Sequence, residues 1–339
     1  MFKSLKSFAL SASAVALAAG AVPASTTGAF AMTADNAIAT PTQNAAYTTE
    51  RVTFQSNGEM IVGTLYVPEG VNASNTVKAV VVTGAWTTIK EQMPALYAQR
   101  LAENGMVALA FDFRTWGESA GSTRSLENSE MKIADIEAAG RYLLSRREVL
   151  EVHGLGICAS SGYMATAAER TDIFTSLALV APWLHNAEIV DAVYGGEEGV
   201  AGLIATGREA MTSERATGEP QLITAAGPSG SDALMAIEGY YIDPDRGLVP
   251  EWENTFNLAS WEGWLTFDGV RAAEGITEPT LVVHSDAAAI PDGARAFYDQ
   301  LRAPKAQVWL DNVTQFDFYD QPKGVDPAIE AVTAHFLRS

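Results

Sequence analysis

Residues His153–Glu169 read HGLGICASSGYMATAAE, and the fold turns on this stretch. The apolar run Val152–Ile157 has strand character, a tight turn of small residues follows, and helical spacing sets in from about Gly162 to Arg170. Gly156-Ile157-Cys158-Ala159-Ser160 has the form small-x-nucleophile-x-small. A strand that turns sharply into a helix needs small residues two before and two after its apex, because larger side chains would collide there. Such an elbow lifts Cys158 above the sheet and aims the backbone N–H of Ala159 at a developing oxyanion. The helix that follows adds its positive end, which favours a thiolate. A second frame, Cys158-Ala159-Ser160-Ser161-Gly162, makes Ser160 the nucleophile. Cys158 is preferred because it directly follows the apolar strand and has Gly156 two before it. The plain alternative is a small buried residue at a strand end.

Outward from the elbow, the same alternation recurs. On the N-terminal side, Arg51–Ser56 and Met60–Val67 flank Asn57-Gly58, a hairpin signal. Val77–Thr83 and Met106–Phe113 are continuous apolar runs, as expected of strands buried on both faces. Glu91–Asn104 and Glu130–Arg147 carry helical spacing between and after them. On the C-terminal side, Ser176–Ala181, Thr280–His284 and Ala306–Leu310 read as strands, and Gly293–Leu301 and Pro327–Leu337 as helices. A hairpin followed by repeated strand–helix units predicts a mostly parallel sheet with helices on both faces. Between Ala181 and Pro279 the alternation breaks, and four of the seven tryptophans (Trp183, Trp252, Trp261, Trp264) fall there. That stretch is too long for a loop. It predicts a largely helical cap at about 183–262, within one domain spanning 50–339; the plain alternative is ordinary helical packing against a sheet face.

These features resemble the α/β-hydrolase superfamily, and within it a dienelactone-hydrolase-like branch whose members can carry Cys at the elbow. The resemblance rests on GICASSGY, on FDFRTWGES (Phe111–Ser119), on HSDAAAIP (His284–Pro291) and on TQFDFYD (Thr314–Asp320). It implies a second oxyanion N–H from the loop Gly84-Ala85-Trp86-Thr87, supplied by Ala85 or Trp86. It also implies a structural turn at Asp112-x-Arg114-x-x-Gly117, read here as an internal ion pair of Asp112 with Arg114.

The family's acid and histidine are where this chain departs. The usual acid position falls on Ala288, with Asp286 two residues early, either a substitute or a loop-capping carboxylate. The usual histidine position is Gln315. Glutamine does not titrate in the working range and cannot act as a general base. Of the four histidines, only His185 lies just past the carboxyl end of a predicted strand, where ligands and catalytic groups gather in parallel sheets. It is a non-standard helper for Cys158 or an anchor for the cap. A thiol depends less on a base than a hydroxyl does, since a few per cent is thiolate at neutral pH.

Composition bounds the rest. With 41 Asp+Glu against 22 Lys+Arg the formal net charge is −19, which argues against nucleic acid as a partner. A single cysteine excludes an intramolecular disulfide framework and a Cys-based zinc site, and the scattered histidines give no metal-ligand spacing. No nucleotide motif is present, so neither cofactor nor metal is expected. Residues 1–31 show Lys3 and Lys6, an apolar run from Phe8 to Val22, and small-residue cleavage sites ending at Ala24 and Ala31. This is the pattern of a cleaved secretory signal peptide, followed by a flexible leader over 32–49. The expectation is a periplasmic or secreted protein without stable membrane insertion after processing; its oligomeric state is left open. It would be a hydrolase or acyl-transferase acting on a small ester, lactone or thioester through Cys158. The alternative is a non-catalytic small-molecule binding protein with a degenerate triad.

Overall fold

The computed structural model describes residues 46–339. The expected signal peptide and most of the expected leader lie outside the described residues. The leader's last residues are strand instead: β1 (Tyr47–Ser56) pairs along its whole length with β2 (Glu59–Pro68), from Tyr47↔Pro68 to Ser56↔Glu59. Tyr47 packs on Tyr66 at 5.8 Å, which fixes this end of the hairpin. Its turn has Asn57 at φ 49° and Gly58 at φ 86°, the left-handed pair that a two-residue hairpin requires.

The remaining sheet is built from β3 (Val77–Thr83), β4 (Val107–Phe111), β5 (Val149–Ile157), β6 (Leu177–Val180), β11 (Thr280–Ser285) and β12 (Lys305–Leu310). The eight strands run in the order β1-β2-β4-β3-β5-β6-β11-β12. β1, β2 and β4 are joined by antiparallel pairings, and all pairings beyond β4 are parallel. Every residue of β4 and β6 is buried, so these strands carry apolar side chains on both faces. Between them run α1 (Met93–Glu103), α2 (Ser129–Leu144) and α3 (Ser160–Arg170). Because β3 sits between β4 and β5, the loops leaving β3 and β5 emerge side by side at the carboxyl edge of the sheet.

The expected Asp112–Arg114 ion pair does not form. Asp112 accepts from the Lys90 backbone N–H and ammonium, both at 2.8 Å, and from the Glu118 N–H at 2.9 Å. Arg114 pairs with Asp135 on α2 and donates to Ser56 Oγ at 2.6 Å. Parallel strand pairing brings Asp112 against the segment after β3, so sheet neighbours take precedence over chain neighbours.

The inserted segment is helical only in part. It opens with α4 (Ala187–Val193) and α5 (Gly196–Thr217), the latter bounded by left-handed glycines Gly195 and Gly218. Pro220, Pro228, Pro244 and Pro250 then break the chain into turns and short strands. β7 (Leu222–Thr224) pairs with β10 (Thr255–Asn257), and β8 (Ala226–Gly227) with β9 (Met235–Ala236). A 3₁₀ turn (Leu258–Ser260) and α6 (Trp261–Thr266) close the segment. After it come α7 (Pro291–Gln300), the short α8 (Asp317–Asp320) and α9 (Pro322–Arg338).

This segment is tied by hydrogen bonds at several points to the loop after β3, the loop before α2 and α8. Trp252 Nε1 donates to the Thr87 carbonyl at 2.7 Å, and Gln92 Nε2 to the Gly247 carbonyl at 2.6 Å. Arg246 Nε donates to Asp320 Oδ2 at 2.7 Å, and the Glu127 N–H to Ser260 Oγ at 2.9 Å. Among the described residues, no helix is long and apolar enough to cross a membrane, and no cluster of three or more His, Cys, Asp or Glu could hold a metal.

Candidate active site

Cys158 stands at the apex between β5 and α3 with φ 58°. A non-glycine residue in the left-handed region costs on the order of 1–3 kcal/mol, a strain the surrounding packing must hold. The ladder supplies part of that hold: the Cys158 N–H donates to the Val180 carbonyl at 3.0 Å, and its own carbonyl accepts from the Trp183 and Ser161 amides at 3.0 and 3.1 Å. Gly156 is obligatory, because a Cβ there would lie 2.7 Å from Ser161 Cα. Ser160 is turned back into the elbow, where its hydroxyl donates to the Ile157 carbonyl at 3.1 Å. That bond and its burial keep Ser160 from the nucleophile position of the second frame.

Four donors bear on the Cys158 sulfur: the backbone N–H groups of Trp86 and Ala159, and the side chains of Tyr319 and Gln315. Of the two loop amides left open by the sequence, Trp86 faces the thiol. The Ala85 carbonyl is engaged by Thr88 Oγ1 at 2.7 Å, and Thr87 takes φ 63° to complete the turn. Cys158 is 6% exposed, and burial raises its pKa, outweighing the four donors that lower it. The resting group is a thiol.

Gln315 is held from three directions. Its Oε1 accepts from the Ala289 N–H at 3.0 Å, and its Nε2 donates to the Ala181 carbonyl at 2.9 Å and to Tyr319 Oη at 3.2 Å. Ala288, where the resemblance would put the acid, is the residue just before Ala289. The loop therefore offers an amide donor where an imidazole N–H would need a carboxylate acceptor.

The two other sequence candidates are not brought to the thiol. Trp183 Nε1 donates to His185 Nδ1 at 3.0 Å, and His185 Nε2 donates to the Trp264 carbonyl at 3.0 Å. Both ring nitrogens are engaged, and burial pushes the pKa down to about 4, so the ring is neutral with no nitrogen left to accept a proton. It anchors the inserted segment. Asp286 is at the surface, 69% exposed at its side chain, bonded to Arg295 and to Trp309 Nε1. It braces α7 against β12.

Sequence reasoning did not single out the tyrosines. Tyr319, one helical turn after Gln315, lies fully buried against the thiol, and Tyr241 lies against Tyr319. Burial pushes both hydroxyls well above the ordinary tyrosine range. The signal for Tyr319 was present in TQFDFYD; Tyr241 sits in the irregular segment and had none. On the other flank, Tyr163 donates to Glu127 Oε1 at 2.8 Å, and Lys132 pairs with Glu127 Oε2 at 2.8 Å, all three buried. Above the loop, the Trp86 ring stacks on Trp264 at 4.9 Å and meets Phe256 at 5.0 Å.

No family model matches the chain. Among curated relatives, the uncharacterized protein YcjY of Escherichia coli (strain K12) is 28% identical over 290 residues, covering 80% of this chain and 92% of YcjY. Among solved structures, the hypothetical protein PA2218 from Pseudomonas aeruginosa superposes with a TM-score of 0.76 at 20% identity, covering 91% of this chain and all of that one. The α/β hydrolase GrgF from Penicillium sp. sh18 gives 0.68 at 16% identity, covering 86% and 97%. A dienelactone hydrolase from Anabaena variabilis gives 0.53 at 10% identity, covering 86% and 98%. The strand order, the helices and these superpositions agree: the chain has the α/β-hydrolase fold.

Proposed function

We propose that the protein is an exported hydrolase or acyl-transferase that acts on a small ester, lactone or thioester through Cys158. The observation that carries this reading is the thiol at a strained elbow with the Trp86 and Ala159 amides turned toward it. Two N–H groups beside a nucleophile form the arrangement that stabilises a tetrahedral oxyanion. In the proposed reaction, Sγ attacks the acyl carbon, the carbonyl oxygen takes charge between the two amides, and the alcohol or thiol leaves. Water or a second alcohol then releases the acyl group. The stacked Trp86 and Trp264 rings suit an acyl group with a flat or extended apolar body. Export is inferred from residues 1–31 alone.

One observation favours a second reading, a small-molecule binding protein of the same fold: Gln315 stands where a base would be and the thiol is held protonated. Intact-protein mass spectrometry after exposure to a p-nitrophenyl acyl ester separates the two. The enzyme reading expects an acyl-sized adduct on wild type and none on Cys158→Ala. Wild-type protein that neither gains mass nor turns over ester supports the binding reading.

A further inference from the structure

The proposed reaction leaves one proton unaccounted for. Attack by a neutral thiol must release the S–H proton, and a leaving alkoxide or thiolate must gain one. Gln315 can do neither, since an amide has no exchangeable role in this range. Both nitrogens of His185 are spent on Trp183 and the Trp264 carbonyl. Asp286 is at the surface on Arg295. Glu127 is shared between Lys132 and Tyr163.

What remains at the sulfur is the Tyr319 hydroxyl. Gln315 Nε2 donates to Tyr319 Oη at 3.2 Å, which leaves the phenol free to direct its own proton elsewhere. Tyr319 is 2% exposed, and its ring is locked among Tyr240 at 5.1 Å, Phe316 at 5.6 Å and Tyr241 at 6.2 Å. Its hydroxyl thus has a fixed position beside Sγ, on an element anchored by Arg246 to Asp320.

We infer that Tyr319 is a catalytic residue of this site, a hydroxyl relay that carries the thiol proton to the leaving group in place of a histidine. The inference rests on the acyl-transfer reading. The step balances without a base. As the Sγ–C bond forms, the carbonyl π pair moves to the oxygen held by Trp86 and Ala159. With substrate bound, the Tyr319 hydroxyl, which rests against the sulfur as a donor, turns toward the leaving atom, so that the S–H proton passes to Tyr319 Oη while the Tyr319 proton passes to the leaving oxygen or sulfur. The oxyanion pair returns, the bond to the leaving group breaks, and Tyr319 ends as it began. In the second half, water attacks the acyl carbon and its proton reaches the departing Sγ by the same route. A hydroxyl whose pKa stays well above the ordinary tyrosine value suits a relay, because it never has to hold a charge.

A relay is felt in proportion to how much the leaving group needs a proton. A p-nitrophenolate leaves without one; an alkoxide does not. The experiment compares wild type with Tyr319→Phe on a p-nitrophenyl acyl ester and on the ethyl ester or simple alkyl thioester of the same acid. Expected is a fall in kcat/KM on both, because the S–H proton has lost its acceptor, and a fall at least about tenfold larger on the alkyl substrates, whose leaving group has also lost its proton donor. An equal fall on both substrates, or none on either, overturns the relay. If wild type shows neither an acyl adduct on Cys158 nor turnover, the acyl-transfer reading fails and the relay with it. An adduct that forms while the leaving-group selectivity is absent overturns the relay alone. Should Tyr319→Phe not fold, the solvent deuterium isotope effect on alkyl-ester turnover by wild type decides. A clear normal effect supports the relay, and an effect near unity overturns it.

Discussion

The Trp252 indole N–H donates to the carbonyl of Thr87 at 2.7 Å, tying the inserted segment to the strained turn that presents the Trp86 amide. Trp252→Phe keeps the ring and deletes the bond. The buried Thr87 carbonyl then loses this donor, at a cost of about 1–3 kcal/mol in unfolding free energy. Chemical denaturation measures that loss. Acylation of Cys158 should slow more than substrate affinity weakens, because the Trp86 N–H is released from its fixed aim. An unchanged acylation rate would detach the segment from oxyanion stabilisation.

Gln315→His alone should do little. Its natural orienter is missing at Ala288, and the nearby carboxylates are committed. Asp286 bonds Arg295, while Asp317 accepts from the Thr314 N–H at 2.7 Å and pairs with Lys323 at 2.8 Å. The new imidazole would also face the Ala289 N–H. Ester turnover is expected within about threefold of wild type for the single change, and raised about 10–10²-fold in Gln315→His/Ala288→Asp. Steady-state rates on a p-nitrophenyl ester test this; a large gain from the single variant contradicts it.

Lys132 and Glu127 form a buried pair at 2.8 Å beneath the site, with the ammonium 4.7 Å from the Phe113 ring centre. Lys132→Met strands the Glu127 carboxylate in the interior and should cost about 3–5 kcal/mol. Adding Glu127→Gln removes the stranded charge and should restore most of that stability. Urea denaturation of the two variants and of Glu127→Gln alone completes the cycle. A loss in the double variant equal to the sum of the two single losses would mean that the pair is not coupled.

Acid should weaken the fold through its histidines. Burial holds His153, His185 and His284 each at about 4, below the ordinary value near 6.5. Their neutral forms are favoured in the folded state, so the stability they contribute is complete above the unfolded pKa. It is lost as pH falls from about 6.5 through about 4, at ~1.4 kcal/mol per pH unit for each ring. Thermal melts between pH 7 and pH 4 should show a steep fall in Tm, and replacing His153 with Gln should make it shallower. A flat profile would show that these rings charge freely in the folded protein.

The fold was legible wherever one residue pattern answers to one environment. VKAVVVT and SLALVA are continuous apolar runs because their strands are covered on both faces, and Asn57-Gly58 is a hairpin turn because both positions need positive φ. The elbow was legible for the same reason, since Gly156 has no room for a side chain. The inserted segment was not. Its short strands pair residues some thirty apart, Thr224 with Thr255, and two- and three-residue strands carry no periodicity to read. The site was legible along the chain and illegible across it. Lys90 reaches Asp112 through strand pairing, and Tyr319 reaches Cys158 because α8 folds back over the elbow. The sequence shows Gln315 where the resemblance would put a histidine; that the same loop delivers a buried hydroxyl one turn later depends on packing.

Cys158 is the sole cysteine of the chain and is nearly closed to solvent. The protein therefore contains a built-in reporter at one address. A disulfide reagent can mark nothing else, and it marks this atom freely only when the structure around it opens. At high reagent concentration the labelling rate would stop rising and read out the opening rate itself. One stopped-flow trace would thus give the rate at which the buried sulfur opens to a small molecule.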